Sequence, residues 1–175
     1  MSCDSTTEVA RYVNMFAGLS MIHRNATIED LQRLRKILED GIQSQNKFEK
    51  LVDLTDQFLE SQLEKYKRAI LASEEWLHVM EDDNGVIVGY VWACSRADVA
   101  GNAIGQVAEL VVESSFKRQG YGTRLFGCAK NWFTAAGLAE IEVNYSVASS
   151  EARHFWKALG FEPYFEKRRL KIVRH

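Results

Sequence analysis

Apolar residues recur along this chain with two different periods, and the switches between them mark its elements. Residues 1–20 show no clear period and read as an N-terminal tail or a short helix. Met21 to Ala26 suits a short strand, after which Thr27 stands as a helix N-cap with Glu29 and Asp30 in the first turn. Carboxylates there meet the positive end of the helix dipole. Leu31, Leu34, Ile37 and Leu38 follow at helical spacing, and Gly41 is expected to stop the run. Leu54, Phe58, Leu63, Tyr66 and Ile70 place a second amphipathic helix.

The period then shortens. Glu75 to Glu81 and Val86 to Cys94 read as two strands joined by the turn Asp82-Asp83-Asn84-Gly85, a hairpin. Ile104 to Val112 is a third strand. Helical spacing returns at Tyr121, Leu125, Cys128, Ala129, Trp132, Phe133 and Ala136, with Gly137 as C-cap. Ala139 to Asn144 is a strand, Ser150 to Leu159 a short helix closed by Gly160, and Lys167 to Val173 a last strand. The order β-α-α-β-β-β-α-β-α-β predicts an α/β fold, a mixed central sheet with helices on both faces. No repeat or linker-like stretch interrupts residues 21–175, so they are expected to form a single domain.

Composition narrows the function. Twenty-two Lys and Arg against 24 Asp and Glu give a formal charge of −2, which offers no general attraction for nucleic acid or an anionic membrane. The apolar run from Tyr12 to Ile22 has Asp4 and Glu8 where a signal peptide needs positive charge, and it falls short of the ~20 residues that span a bilayer. A cytoplasmic location is expected. Cys3, Cys94 and Cys128 are scattered, with no cysteine–histidine spacing of a zinc site, so no metal is expected.

The segment from Val111 to Leu125 carries the chemistry. An apolar strand runs into a basic turn, Lys117-Arg118-Gln119-Gly120-Tyr121-Gly122-Thr123, and the turn runs straight into a helix. Glycines allow close backbone approach, and the first amides of a helix point outward with the positive dipole end behind them, which makes an anion cradle. A glycine turn that merely starts a helix has the same pattern. A dinucleotide fingerprint would need glycine where Leu125 stands, and the lysine-containing phosphate loop of nucleotide triphosphatases is absent.

This segment resembles the pyrophosphate-binding motif of the GNAT N-acetyltransferase superfamily: Arg or Gln, two residues, Gly, one residue, then Gly or Ala. Lys117 takes the first position and keeps its charge, though it loses the bidentate fork of arginine. Downstream, Ser149 to Phe161 is similar to the family's closing helix, with Ala152, Phe155, Gly160 and Phe161 matching. Ser149 replaces the motif's Asn and Trp156 its Tyr, the residue often assigned to protonate the departing thiolate. Indole cannot serve as that acid near neutral pH. The resemblance spans about Met21 to Val173.

The resemblance implies a fold, a co-substrate and a set of roles. Acetyl-CoA would be the acetyl donor, its pyrophosphate held by the amides of Lys117, Arg118, Gln119, Gly120, Tyr121, Gly122 and Thr123, its pantetheine arm by the strand end Leu110, Val111 and Val112. Ser149, Arg153 and Trp156 would face the cofactor from the last helix, although Arg153 also fits an exposed helix arginine and Trp156 a core residue. A primary amine would attack directly in a ternary complex, the oxyanion meeting the amide of Val112. Glu109 is the candidate base, or an ion-paired strand residue, and alternation sets it opposite Ala108 and Leu110. Asn144 either contacts substrate or caps its strand, and His78 is a reserve base. The acidic residues Glu29, Glu39, Asp40, Asp53, Asp56 and Glu60 suit a small cationic acceptor, or simply solvated helix faces. Alternatives are a non-catalytic acyl-CoA sensor or partner-binding module, and a protein N-terminal or lysine acetyltransferase. A homodimer is left open.

Overall fold

Arg24 forks onto the Asp30 carboxylate (2.7 and 2.9 Å) and also reaches Glu81 (2.8 Å), while Asp30 accepts the Thr27 amide (2.8 Å). These bonds pin the start of the first helix to two strands. The computed structural model describes residues 12–16, 19–47, 50, 52–168 and 170. Its elements are β1 (Tyr12–Phe16), β2 (Leu19–Asn25), a 3₁₀ turn Ile28–Asp30, α1 (Leu31–Asn46), α2 (Asp56–Leu71), β3 (Glu75–Glu81), β4 (Ile87–Ala97), β5 (Ala103–Val112), a second 3₁₀ turn Ser114–Phe116, α3 (Tyr121–Ala135), β6 (Ile141–Val143) and α4 (Ser150–Ala158). Two compact units result, the first ending at Asn144 and the second beginning at Tyr145.

In the first unit the strands lie in chain order, β1 to β6, in one sheet. Every neighbouring pair is antiparallel except β5 and β6, which run parallel and are joined through α3. One face of the sheet takes α1 and α2: Leu34, Ile37, Leu38, Leu59, Leu63 and Tyr66 pack on Leu77, Val79, Ile87 and Tyr90. Each such fully buried aliphatic side chain contributes about 1.5–3 kcal/mol. Gly89 precedes Tyr90 and so points to the other face, where a Cβ on it would stand 3.1 Å from Leu125 of α3. Helices therefore cover both faces, as the sequence predicts. No helix among the described residues is long and apolar enough to cross a membrane.

Three elements differ from expectation. Tyr12–Phe16 and Leu19–Ser20 are strand, not tail or helix; Met1 to Arg11, Ala17 and Gly18 lie outside the described residues. Helix α1 runs through Gly41 to Asn46, because Gly41 is a point of close approach and not a stop. A Cβ there would sit 2.8 Å from Val111 Cγ1. The last strand, expected at Lys167 to Val173, is absent at Lys167, Arg168 and Leu170, and the rest of that segment lies outside the described residues. Arg168 pairs locally with Glu166 (2.9 Å), and Phe165 and Leu170 are 82% and 86% exposed, so these described residues bury no apolar side chain of a strand face.

Gly105 of β5 leaves room for the ring of Phe133, whose nearest carbon would be 2.6 Å from an added Cβ. Phe133 is fully buried and cannot swing away. Gly105→Ala is expected to lose about 1–3 kcal/mol by overpacking, read as a fall of roughly 2–12 °C in Tm.

Candidate active site

Strand β5 carries a carboxylate, an open edge and, beyond it, a basic glycine turn in succession. Opposite β4, Trp92 pairs with Glu109 but Ala93 pairs with Val107, so Ala108 is an extra residue, a β-bulge. Without it, Glu109 would share the α3 face with Gly105 and Val107. The bulge turns it to the α2 face instead. There Tyr66 Oη (2.5 Å) and Tyr90 Oη (2.9 Å) both donate to Glu109 Oε2, and Gln62 Nε2 donates to Oε1 (3.2 Å). The two tyrosine hydroxyls lie 2.7 Å apart. Burial pushes the Glu109 pKa above the ordinary carboxylate value, and the tyrosine hydrogen bonds offset part of that rise. Burial likewise raises the pKa of both tyrosines, which stay protonated donors. The expectation set Glu109 opposite both Ala108 and Leu110; strict alternation breaks at Ala108, the bulge, so it does not govern that step.

Past Val107 the strand loses one neighbour. β6 pairs only Ile141, Glu142 and Val143 with Gly105, Gln106 and Val107. From Ala108 to Val112 the outer edge of β5 meets no strand among the described residues, and Leu110, Val111 and Val112 lie on it. Such an edge can accept an extended amide-bearing chain as an added strand. Asn144 follows β6 directly and is exposed.

The turn after β5 is held from α1. Asp40 Oδ2 accepts the Ser114 amide (2.7 Å) and hydroxyl (2.8 Å), and Arg33 binds both Glu113 and the Ile87 carbonyl. Phe116 meets Tyr121 edge-on at 5.9 Å, and Tyr121 is buried, so its ring anchors the turn while its backbone starts α3. Arg118 and Gly120 take left-handed φ of 61° and 85°, and Gly120 is the α3 N-cap. The Arg124 amide bonds back to the Gly120 carbonyl (3.1 Å). The amides of Tyr121, Gly122 and Thr123, one turn earlier, have no preceding helical carbonyl to bond. Arg118, Gln119, Gly120 and Thr123 are exposed, and Lys117 and Gly122 half-buried. Outward-pointing amides and positive side chains thus converge on one turn, an arrangement that can hold an anion.

The second unit holds the other three predicted cofactor residues. Ser149 caps α4, its Oγ accepting the Ala152 amide (3.2 Å). Arg153 is exposed and donates to the Val147 carbonyl. Trp156 is buried, with Phe155 and Phe161 rings at 4.9 and 5.1 Å.

Gln62, Tyr66 and Tyr90 escaped the sequence as site residues. Tyr66 and Tyr90 stand 43 and 19 residues from Glu109, and nothing local links them. His78 is buried among Trp76 and His23 and is no exposed base. The acidic helix residues are partly paired: Arg35 bridges Glu39, Asp56 and Glu60, and Lys50 meets Asp53, so two cations face four carboxylates and a net negative charge remains.

Solved structures share this fold at low sequence identity. A mutant of the BH1408 protein from Bacillus halodurans is 15% identical with a TM-score of 0.78, covering 87% of this chain and 99% of its own. The aminoglycoside 6'-N-acetyltransferase AAC(6')-Ih from Acinetobacter baumannii is 13% identical with a TM-score of 0.67, covering 89% and 100%. AAC(6')-Iy in complex with a CoA-linked bisubstrate analogue is 20% identical with a TM-score of 0.65, covering 89% and 97%. No curated protein matches the sequence. The family model of the GNAT acetyltransferases matches residues 42–161, from α1 to the end of the α4 turn. With that match spanning more than half of its length, the chain belongs to the acetyltransferase (GNAT) family.

Proposed function

We propose that this protein transfers the acetyl group of acetyl-CoA to a primary amine by direct attack in a ternary complex. The observation that carries the proposal is the succession on β5: the Glu109 carboxylate, the open edge from Leu110 to Val112, and the left-handed Gly120 turn into α3. Aminoglycoside acetyltransferases of the same fold, solved with CoA or a CoA-linked analogue, support the choice of donor and of an amine acceptor.

In this reading the turn amides hold the pyrophosphate, with Lys117, Arg118 and Arg124 adding charge, and the β5 edge aligns the pantetheine amides. Alignment of this kind supplies most of the rate advantage of a ternary complex. Glu109 accepts the proton that an ammonium acceptor must lose, directly or through a water, and its raised pKa makes it a better base than an exposed carboxylate. The amine nitrogen then bonds to the acetyl carbon, the C–S bond breaks, and coenzyme A leaves as thiolate. With a thiol pKa of about 8.5, that thiolate departs without an acid at position 156. Asn144, exposed at the mouth of the β5–β6 opening, is the proposed contact for the acetyl group or acceptor. Ser149, Arg153 and Trp156 are assigned to the cofactor by motif position alone. Free thiols at Cys94 and Cys128 suit a reducing compartment such as the cytoplasm.

Acetyl-CoA turnover against a panel of aminoglycosides, polyamines, amino acids and peptide N-termini, followed by thiol release, tests this. Release that depends on one class of amine is expected. Stabilisation by acetyl-CoA with no turnover for any amine would replace the enzyme with an acyl-CoA-binding module.

A further inference from the structure

On the α3 side of the sheet, away from Glu109, three residues far apart in sequence bring metal-ligating atoms together. His23 of β2, His78 of β3 and Cys128 of α3 each offer one such atom, all within 4.8 Å of one another. His23 Nδ1 and His78 Nε2 are 2.8 Å apart. A tetrahedral zinc ion, with bonds of about 2.0–2.1 Å to nitrogen and 2.3 Å to sulfur, holds its ligand atoms about 3.3–3.6 Å apart. Movements of about 1 Å therefore convert the cluster to that geometry.

The surroundings fix the orientation that a ligand needs. His78 Nδ1 lies 3.1 Å from Asn25 Oδ1, an acceptor, so Nδ1 carries the proton and Nε2 turns its lone pair toward His23 and Cys128. Trp76 stacks on the His78 ring at 4.1 Å and on Trp132 of α3 at 6.0 Å, which holds the imidazole plane. His78 is buried and its pKa is pushed down to about 3, chiefly by burial, with the charges of His23 and Arg24 adding to the effect; burial lowers His23 as well. Burial thus favours the neutral, ligating form of both imidazoles, while it raises the pKa of the Cys128 thiol, whose proton zinc has to displace. Two imidazoles and one thiolate are a borderline-soft donor set that suits zinc over the hard cations.

We propose that His23, His78 and Cys128 form a zinc-binding site that ties β2, β3 and α3 together, with a fourth position left for water. Binding takes the thiol proton of Cys128 into solvent and moves the His23 proton from Nδ1 to Nε2, so each zinc releases one proton. The expectation from the sequence was that no metal binds, since neither histidine has a cysteine or histidine at ligand spacing. The fold supplies the proximity that the spacing lacks.

The test is titration of the metal-free full chain with Zn(II) against a chromophoric chelator, and with Co(II) followed by absorption. Wild type is expected to bind one zinc, to rise in Tm by roughly 5–10 °C when zinc is 100-fold above its Kd, and to show a thiolate-to-cobalt charge-transfer band. Cys128→Ser should lose the band and the Tm shift. Asn25→Ala should weaken zinc binding about 10–100-fold while keeping the band. Cys94→Ala should change nothing. Should His78→Gln fail to fold, the serine and alanine variants still decide the matter. A Cys128→Ser protein that binds zinc as tightly as wild type, or a wild type without the cobalt band, overturns the site, and neither result bears on acetyl transfer.

Discussion

Gly120→Glu is expected to remove acetyl-CoA binding and turnover while leaving the fold in place. Gly120 sits at φ 85° as the N-cap of α3, with nothing within 4 Å of where a Cβ would go. A side chain meets no clash there, only the left-handed penalty of about 1–2 kcal/mol. That penalty lowers Tm by a few degrees. The carboxylate, however, would stand in the anion cradle. Two like charges 4 Å apart at an effective dielectric of about 20 repel by ~4 kcal/mol, so even with solvent screening kcat/KM should fall at least ~100-fold. Gly120→Ala separates the two causes, because it carries the strain without the charge. Isothermal titration with acetyl-CoA and the thiol-release assay read both variants. If Gly120→Glu binds acetyl-CoA like wild type, the turn is not the pyrophosphate site.

Glu109→Gln is expected to cost about 10²–10⁴-fold in kcat and to leave the protein as stable as before or more so. The sign follows from burial. Glu109 holds its proton to higher pH in the native state than in the unfolded chain, because burial raises its pKa more than the tyrosine hydrogen bonds lower it. The stabilising contribution of the protonated group is complete below the unfolded pKa and is lost as pH rises through the native one. Removing the charge removes that loss, so Tm at neutral pH holds or rises. The rate shows the opposite sign, since only ionised Glu109 accepts a proton. The wild-type kcat/KM profile should carry an acid limb above the ordinary carboxylate range, absent in Glu109→Gln. Tyr66→Phe deletes one donor to the carboxylate and should move that limb to higher pH. A variant Glu109→Gln with wild-type kcat would show that Glu109 is a buried structural carboxylate.

What the chain shows by itself is whatever depends on neighbours in sequence. The hairpin β3–β4 was visible because Asp82 to Gly85 must turn, with the Gly85 amide bonded back to Asp82 (3.0 Å) and φ of 75° at Gly85. The left-handed turn before α3 was visible because a basic glycine loop between a strand and a helix is a local device, and Gly120 adopts the φ that only glycine takes cheaply. Helical periodicity likewise placed α2 and α3 to within a residue or two.

Long-range placement stayed hidden. Gly41 reads as a helix stop until Val111, from a distant strand, occupies the space its side chain would need. Alternation along β5 fails at Ala108, because a bulge is decided by register against β4. That one residue sends Glu109 to the face where Tyr66, Tyr90 and Gln62 wait, and three elements must be in place before the carboxylate has its environment. The same holds for His23, His78 and Cys128, which no spacing rule connects. Periodicity and turn chemistry, set by covalent neighbours, belong to the sequence. Proximity across strands and helices, and the burial that shifts a proton affinity, exist only once the chain has folded.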